Sequence, residues 1–180
     1  MAVVLAVILW SSSATCLMIL KDIPIFLITA ILLSSHCVYS ICRLSYTQNW
    51  HTIPSQPLLW LGGVLGIVGN DFCYYYALRT TSPVVVELLS WCWPFFVMLY
   101  LSRFNMSGRL YLGLLMAFFA VVLLQVHSWH AWVAAWHGLH VGAFMALGSA
   151  LSWALYTLVS HHYHDAPHEM VGLYAGCVAV

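Results

Sequence analysis

Charge is what this sequence lacks: five of its 180 residues are Lys or Arg and five are Asp or Glu, 6% in all. Soluble globular domains carry roughly a quarter. A surface facing water cannot be built from that supply, and no nucleic-acid partner is expected. Also absent is a basic stretch ahead of the first apolar run, because Lys21 follows that run, so a secretory signal peptide does not fit residues 1–20. No phosphate-binding glycine loop occurs, nor a nucleophile with a base at recognisable spacing, so an enzyme is not expected. The six cysteines (Cys16, Cys37, Cys42, Cys73, Cys92 and Cys177) all lie in apolar runs, with neither a disulfide framework nor a thiolate zinc spacing. They read as small apolar packers. No cofactor or metal is assigned.

What the sequence has in quantity is apolar length, with 63% hydrophobic residues. A hydrocarbon layer about 30 Å thick takes roughly 20 apolar residues at helical rise. Six runs meet that length, at about 2–20, 23–42, 57–78, 83–101, 108–126 and 139–160, and a seventh begins near Met170. The expected fold is an all-α, multi-pass membrane bundle in the inner or plasma membrane, with lipid as its first partner. About eleven residues of the seventh run cannot cross a bilayer, so the chain reads as a fragment. Arg43, Arg103 and Arg109 fall on one side and Lys21 and Arg79 on the other, which favours a cytoplasmic N-terminus. The polar stretch from Ser45 to His51, followed by Pro54 and Pro57, reads as an interfacial loop, and Arg79 to Pro83 as a turn joining the third and fourth spans in an antiparallel hairpin.

Ionisable groups at membrane depth cost several kcal/mol unless paired or hydrated, so each is a functional candidate. His36, Asp71 and Glu87 are of this kind. Asp71 lies eight residues before Arg79 and Glu87 eight after it, which puts the two carboxyls at similar depth, where they would share a site able to load and release a proton. The plainer alternative for Asp71 is a partner in Arg79 or Asn70. On the fourth span Glu87, Ser90, Trp91 and Pro94 recur at helical spacing and would form a cavity wall. There Pro94 interrupts the backbone bonding, as a ligand-accepting break or as an ordinary kink. Tyr74, Tyr75 and Tyr76, with Trp91 and Trp93, would line an aromatic cavity or belong to an interfacial belt. Gly62, Gly66, Gly69 and Cys73 make a small-residue stripe for close helix packing.

Histidines gather at His127, His130, His137 and His140 and again at His161, His162, His164 and His168, beside Asp165 and Glu169. A membrane metal-binding protein is therefore a competing class. With Trp129, Trp132 and Trp136 interleaved, the connector at 128–138 equally suits the headgroup layer.

The cluster Leu9 to Thr15 returns as Leu151 to Thr157 after five spans, an odd number that inverts the second copy in the membrane. The ordered pieces Leu9-Trp10-Ser11, Tyr76-Ala77-Leu78-Arg79-Thr80-Thr81-Ser82, Trp93-Pro94, Gly113-Leu114 and Ser152-Trp153-Ala154-Leu155-Tyr156 resemble the EamA-like branch of the drug/metabolite transporters. Ser90-Trp91-Cys92-Trp93-Pro94 looks most like its amino-acid exporters. The resemblance implies ten helices in two inverted five-helix repeats, with residues 1–127 as the first repeat, 128–138 as connector and 139–180 as a truncated start of the second. It implies export of a small-molecule substrate such as an amino acid, in a cavity lined by Trp10, Ser12, Tyr75, Ser90, Trp93, Trp153 and Tyr156. A missing C-terminal half or a second copy would complete it, and a non-transporting subunit or half-carrier is the remaining alternative. Ser102-Arg103-Phe104-Asn105 departs from the family's acidic-basic pair at the corresponding turn.

Overall fold

Pro24 has no N–H to give a helix and sits just ahead of the first described one, α1, which spans Ile25–Thr47. The computed structural model describes residues 4, 15–16, 19–20, 22–103, 107–125, 141–163 and 169–179, the side chains of 121, 122, 124, 125 and 179 excepted. The first apolar run, with Trp10 and Ser12, lies mostly outside these residues, as do the connector at 128–138 and the sequon residue Asn105. Helix α1 runs further than the apolar pattern suggests. Ser45, Tyr46 and Thr47 belong to the helix rather than to an interfacial loop, because the Thr47 hydroxyl donates to the Arg43 carbonyl at 2.9 Å. Gln48 then ends it in the left-handed conformation (φ 56°), its amide bonding the Ser45 carbonyl at 2.6 Å.

A single 3-10 turn, Trp50–Thr52, leads to α2, Pro57–Thr80. The fourth run divides into α3, Pro83–Ser90, and α4, Trp93–Leu101. Helices α5 (Gly108–Gln125), α6 (Val141–His162) and α7 (Met170–Ala179) follow, and the regular elements among the described residues are all helical. Ile25–Thr47, Pro83–Leu101 and Val141–His162 are long and apolar enough to cross a membrane. Phe26, Phe119 and Phe144 stand 71%, 64% and 77% exposed, an arrangement that suits lipid and not water. The chain is an all-α, multi-pass membrane bundle.

The main packing axis is α2 against α6. Gly62 meets Val159, Gly66 meets Tyr156, Gly69 meets Ser152, Cys73 meets Gly148 and Thr80 meets Gly142, so the two helices run antiparallel in one register. The small-residue stripe read from the sequence is this seam. A methyl group on Gly66 would stand 2.5 Å from Tyr156 Cβ and 2.9 Å from its backbone nitrogen, closer than atoms can come. The glycines therefore set the distance between the helix axes.

Helices α1 and α7 form a second antiparallel pair. Gly172 lies on the His36 carbonyl and Ser40, Gly176 on Cys37, and Arg43 Nε pairs with Glu169 Oε1 at 2.6 Å at the foot of the pair. At that end Leu59, Ile67, Met170 and Tyr174 make a buried cluster, with Trp60 edge-on to Tyr174 at 5.5 Å. At the other end Ala77, Val86 and Ala146 join α2, α3 and α6.

Candidate functional site

Polar side chains inside this bundle gather along the second half of α2 and the helix it turns into. The hairpin turns at Thr81 and Ser82, while Arg79 is still helical and only one residue from the end of α2. Measured from that turn, the residue facing Glu87 is Tyr74 and not Asp71. The Tyr74 hydroxyl donates to Glu87 Oε1, and the Trp91 indole N–H donates to Oε2 at 3.0 Å. Both carboxylate oxygens thus carry a donor, one from each helix of the hairpin.

Asp71 has different company. Its Oδ1 accepts from the Asn70 amide at 3.2 Å, and Asn70 Oδ1 accepts from the Ser149 hydroxyl of α6 at 2.8 Å. His36 of α1 and Tyr75 are within electrostatic reach. Arg79 is turned away, donating to the carbonyls of Leu20 and Ile23. Among the described residues, then, Asp71 and Glu87 occupy separate neighbourhoods and do not form the shared carboxyl pair that their spacing about Arg79 suggests. His36 and Asp71 are brought together across α1 and α2.

Beyond Glu87 the helix stops. Pro94 offers no N–H to the Ser90 carbonyl and its ring crowds the preceding turn. The chain answers by tightening, with Cys92 N–H bonded to the Leu89 carbonyl at 3.1 Å, and restarts at Trp93. The expected face of Glu87, Ser90, Trp91 and Pro94 survives as far as Trp91, where the Glu87 contact pins the indole. Ser90 Oγ, buried beside this break, is the one buried side-chain oxygen among the described residues with no hydrogen-bond partner. A cavity of about 470 Å³ opens at the break itself, walled by Trp91, Pro94 and Phe95 on one side and Leu114, Leu115 and Phe118 of α5 on the other, and Ser90 is not part of its lining. That volume falls within the range of small-molecule pockets.

The remaining candidates are spread out. The rings of Trp153 and Tyr156 meet at a tilt, 5.5 Å apart, on α6 and pack on the cluster around Leu59 and Tyr174. Tyr75 meets Tyr74 edge-on at 5.8 Å, and Trp93 begins α4. Reading α2 as one aromatic cluster missed the particular role of Tyr74, whose hydroxyl reaches Glu87 across the hairpin. It also missed Asn70 and Ser149 as the polar link between α2 and α6, for which neither residue alone gives a signal. Among the described residues no group of three His, Cys, Asp or Glu could hold a metal, and His127, His130, His137, His140, His164 and His168 lie outside them.

Comparison with known proteins gives one direction. No family model matches the chain, and no solved structure matches it. The chain is similar to the aromatic amino acid exporter YddG of Ancylobacter novellus, with 27% identity over 172 residues covering 92% of this chain. It spans 59% of that relative's length. The likeness, extended along nearly the whole chain and joined to an apolar helical bundle, is that of a membrane transporter.

Proposed function

We propose that the protein is a carrier of the drug/metabolite type that moves a small amphipathic metabolite outward, with aromatic amino acids as the substrate class. The observation that carries this reading is the similarity to an aromatic amino acid exporter over 92% of the chain. The site chemistry supports it. A carboxylate held by Tyr74 and Trp91 suits a substrate ammonium, and the free Ser90 hydroxyl beside the broken helix suits a substrate carboxylate. The aromatic and apolar wall formed by Trp91, Pro94 and Phe95 suits a ring. Proton exchange at one of the ionisable groups on the spanning helices, His36, Asp71 or Glu87, supplies the driving force in this reading.

In the same reading residues 1–127 are the first inverted repeat of an EamA-like carrier and 139–180 open the second, so Trp10, Ser12, Trp153 and Tyr156 bring both repeats to the pathway. A second copy or a C-terminal half completes it. The test is efflux of labelled phenylalanine from preloaded cells expressing the protein. Release faster than from cells with an empty vector is expected, and equal release overturns the proposal.

A further inference from the structure

Two half-buried carboxyls on one hairpin invite the question of which one handles the proton. We infer that Asp71 is the group that loads and releases it, while Glu87 is a hydrogen-bonded anchor that positions Trp91; this assignment rests on the carrier reading above.

Glu87 accepts the Tyr74 hydroxyl on one oxygen and the Trp91 indole N–H on the other, so a proton on either oxygen would strip charge assistance from two donors already held in place. Asp71 has one long amide contact at 3.2 Å, on Oδ1, and its other oxygen takes no hydrogen bond among the described residues. An O–H bond can form there without evicting anything.

Position favours the same carboxyl. His36 of α1 and Tyr75 of α2 are the titratable groups within reach of Asp71. From α6 the facing group is the neutral Ser149 hydroxyl, acting through Asn70, and α3 and α7 bring no charged group to it among the described residues. Arg79, the nearest cation along the helix, is committed to the carbonyls of Leu20 and Ile23. Among the described residues, therefore, no permanent countercharge locks Asp71 in its ionised form.

Asp71 is also wired to the part of the molecule that must sense it. Because Ser149 donates to Asn70 Oδ1, the amide NH2 is turned to Asp71 and needs an acceptor there. When the carboxylate takes a proton from water at one face, that contact loses its charge assistance, and the change reaches α6 through the Ser149 hydroxyl on Asn70. Releasing the proton to the other face restores it.

The experiment uses the protein in proteoliposomes with labelled phenylalanine, read in two ways: accumulation driven by an imposed pH gradient, and exchange against unlabelled phenylalanine with no gradient. Asp71→Asn is expected to lower gradient-driven accumulation about tenfold or more while exchange stays within about threefold of the parent. Glu87→Gln is expected to lower both together. Gradient-driven accumulation by Asp71→Asn, or its selective loss in Glu87→Gln, overturns the assignment. A parent that exchanges phenylalanine and ignores the pH gradient also overturns it but leaves the carrier reading standing, whereas a parent inactive in both assays overturns the carrier reading itself. Should Asp71→Asn fail to fold, Asp71→Glu is expected to move the pH of half-maximal accumulation without changing exchange, and an unmoved profile overturns the assignment.

Discussion

The seam between α2 and α6 and the break between α3 and α4 solve opposite problems with the same chain. Along the seam, Gly62, Gly66 and Gly69 remove side-chain volume, and at Gly62 and Gly66 the helices close until a methyl group has no room. At the break, Trp91, Trp93 and Pro94 add bulk and subtract a backbone donor, so the helix parts beside a cavity of about 470 Å³ and a buried hydroxyl is left without a partner. In a bilayer, where apolar burial between helices gains little, closeness and hydrogen bonding hold the frame. The lesson is that this frame concentrates its tolerance for empty space and unpaired polarity next to Glu87.

Filling the seam should do the most damage. Gly66→Val drives a side chain into the Tyr156 backbone and is expected to cost about 3 kcal/mol or more, read as a lowered midpoint of thermal unfolding in detergent. An unchanged midpoint would mean that the helices can separate freely. Next comes the anchor: Tyr74→Phe removes a donor to a carboxylate and is expected to cost about 2 kcal/mol in the same measurement, with altered Trp91 fluorescence as the indole loses its fixed partner. Ser149→Ala cuts the Asn70 link for about 0.6 kcal/mol, the typical worth of a hydrogen bond between membrane helices. Combined with Asn70→Ala, its effect should be less than additive. The smallest change is expected from Ala117→Leu in the cavity wall, within about 0.5 kcal/mol, because space is already there. If Ala117→Leu proved as harmful as Gly66→Val, the contrast between a tight seam and an open break would fail.

Much of the frame is readable from residues alone. The glycine stripe of α2 announces close packing because no other role suits glycine at that spacing in a helix, and Pro94 announces a break because its chemistry allows little else. Helix α1 illustrates the limit: the run of apolar residues ends at Cys42, but backbone bonding continues to Thr47, since hydroxyl and amide side chains can cap a helix that has already left the hydrocarbon. The pairing of Asp71 with Glu87 failed for a geometric reason. The Tyr74–Glu87 contact is centred between Thr80 and Thr81, so reflecting the hairpin about Arg79 misplaces the partner by nearly a turn, and hydrophobic pattern cannot locate a turn to that accuracy. The Asn70–Ser149 link joins residues 79 apart in sequence, and single-residue chemistry carries no trace of such a pairing.

Arg43 and Glu169 stitch the foot of α7 to the foot of α1, while Tyr174 sits in the notch that Gly63 leaves on α2. Helix α1 therefore leans on two different neighbours: its C-terminal half is bound to α7, while its opening turn rests on α2 through the Phe26–Phe72 stack at 5.6 Å, with Arg79 of α2 reaching the backbone carbonyls just ahead of it.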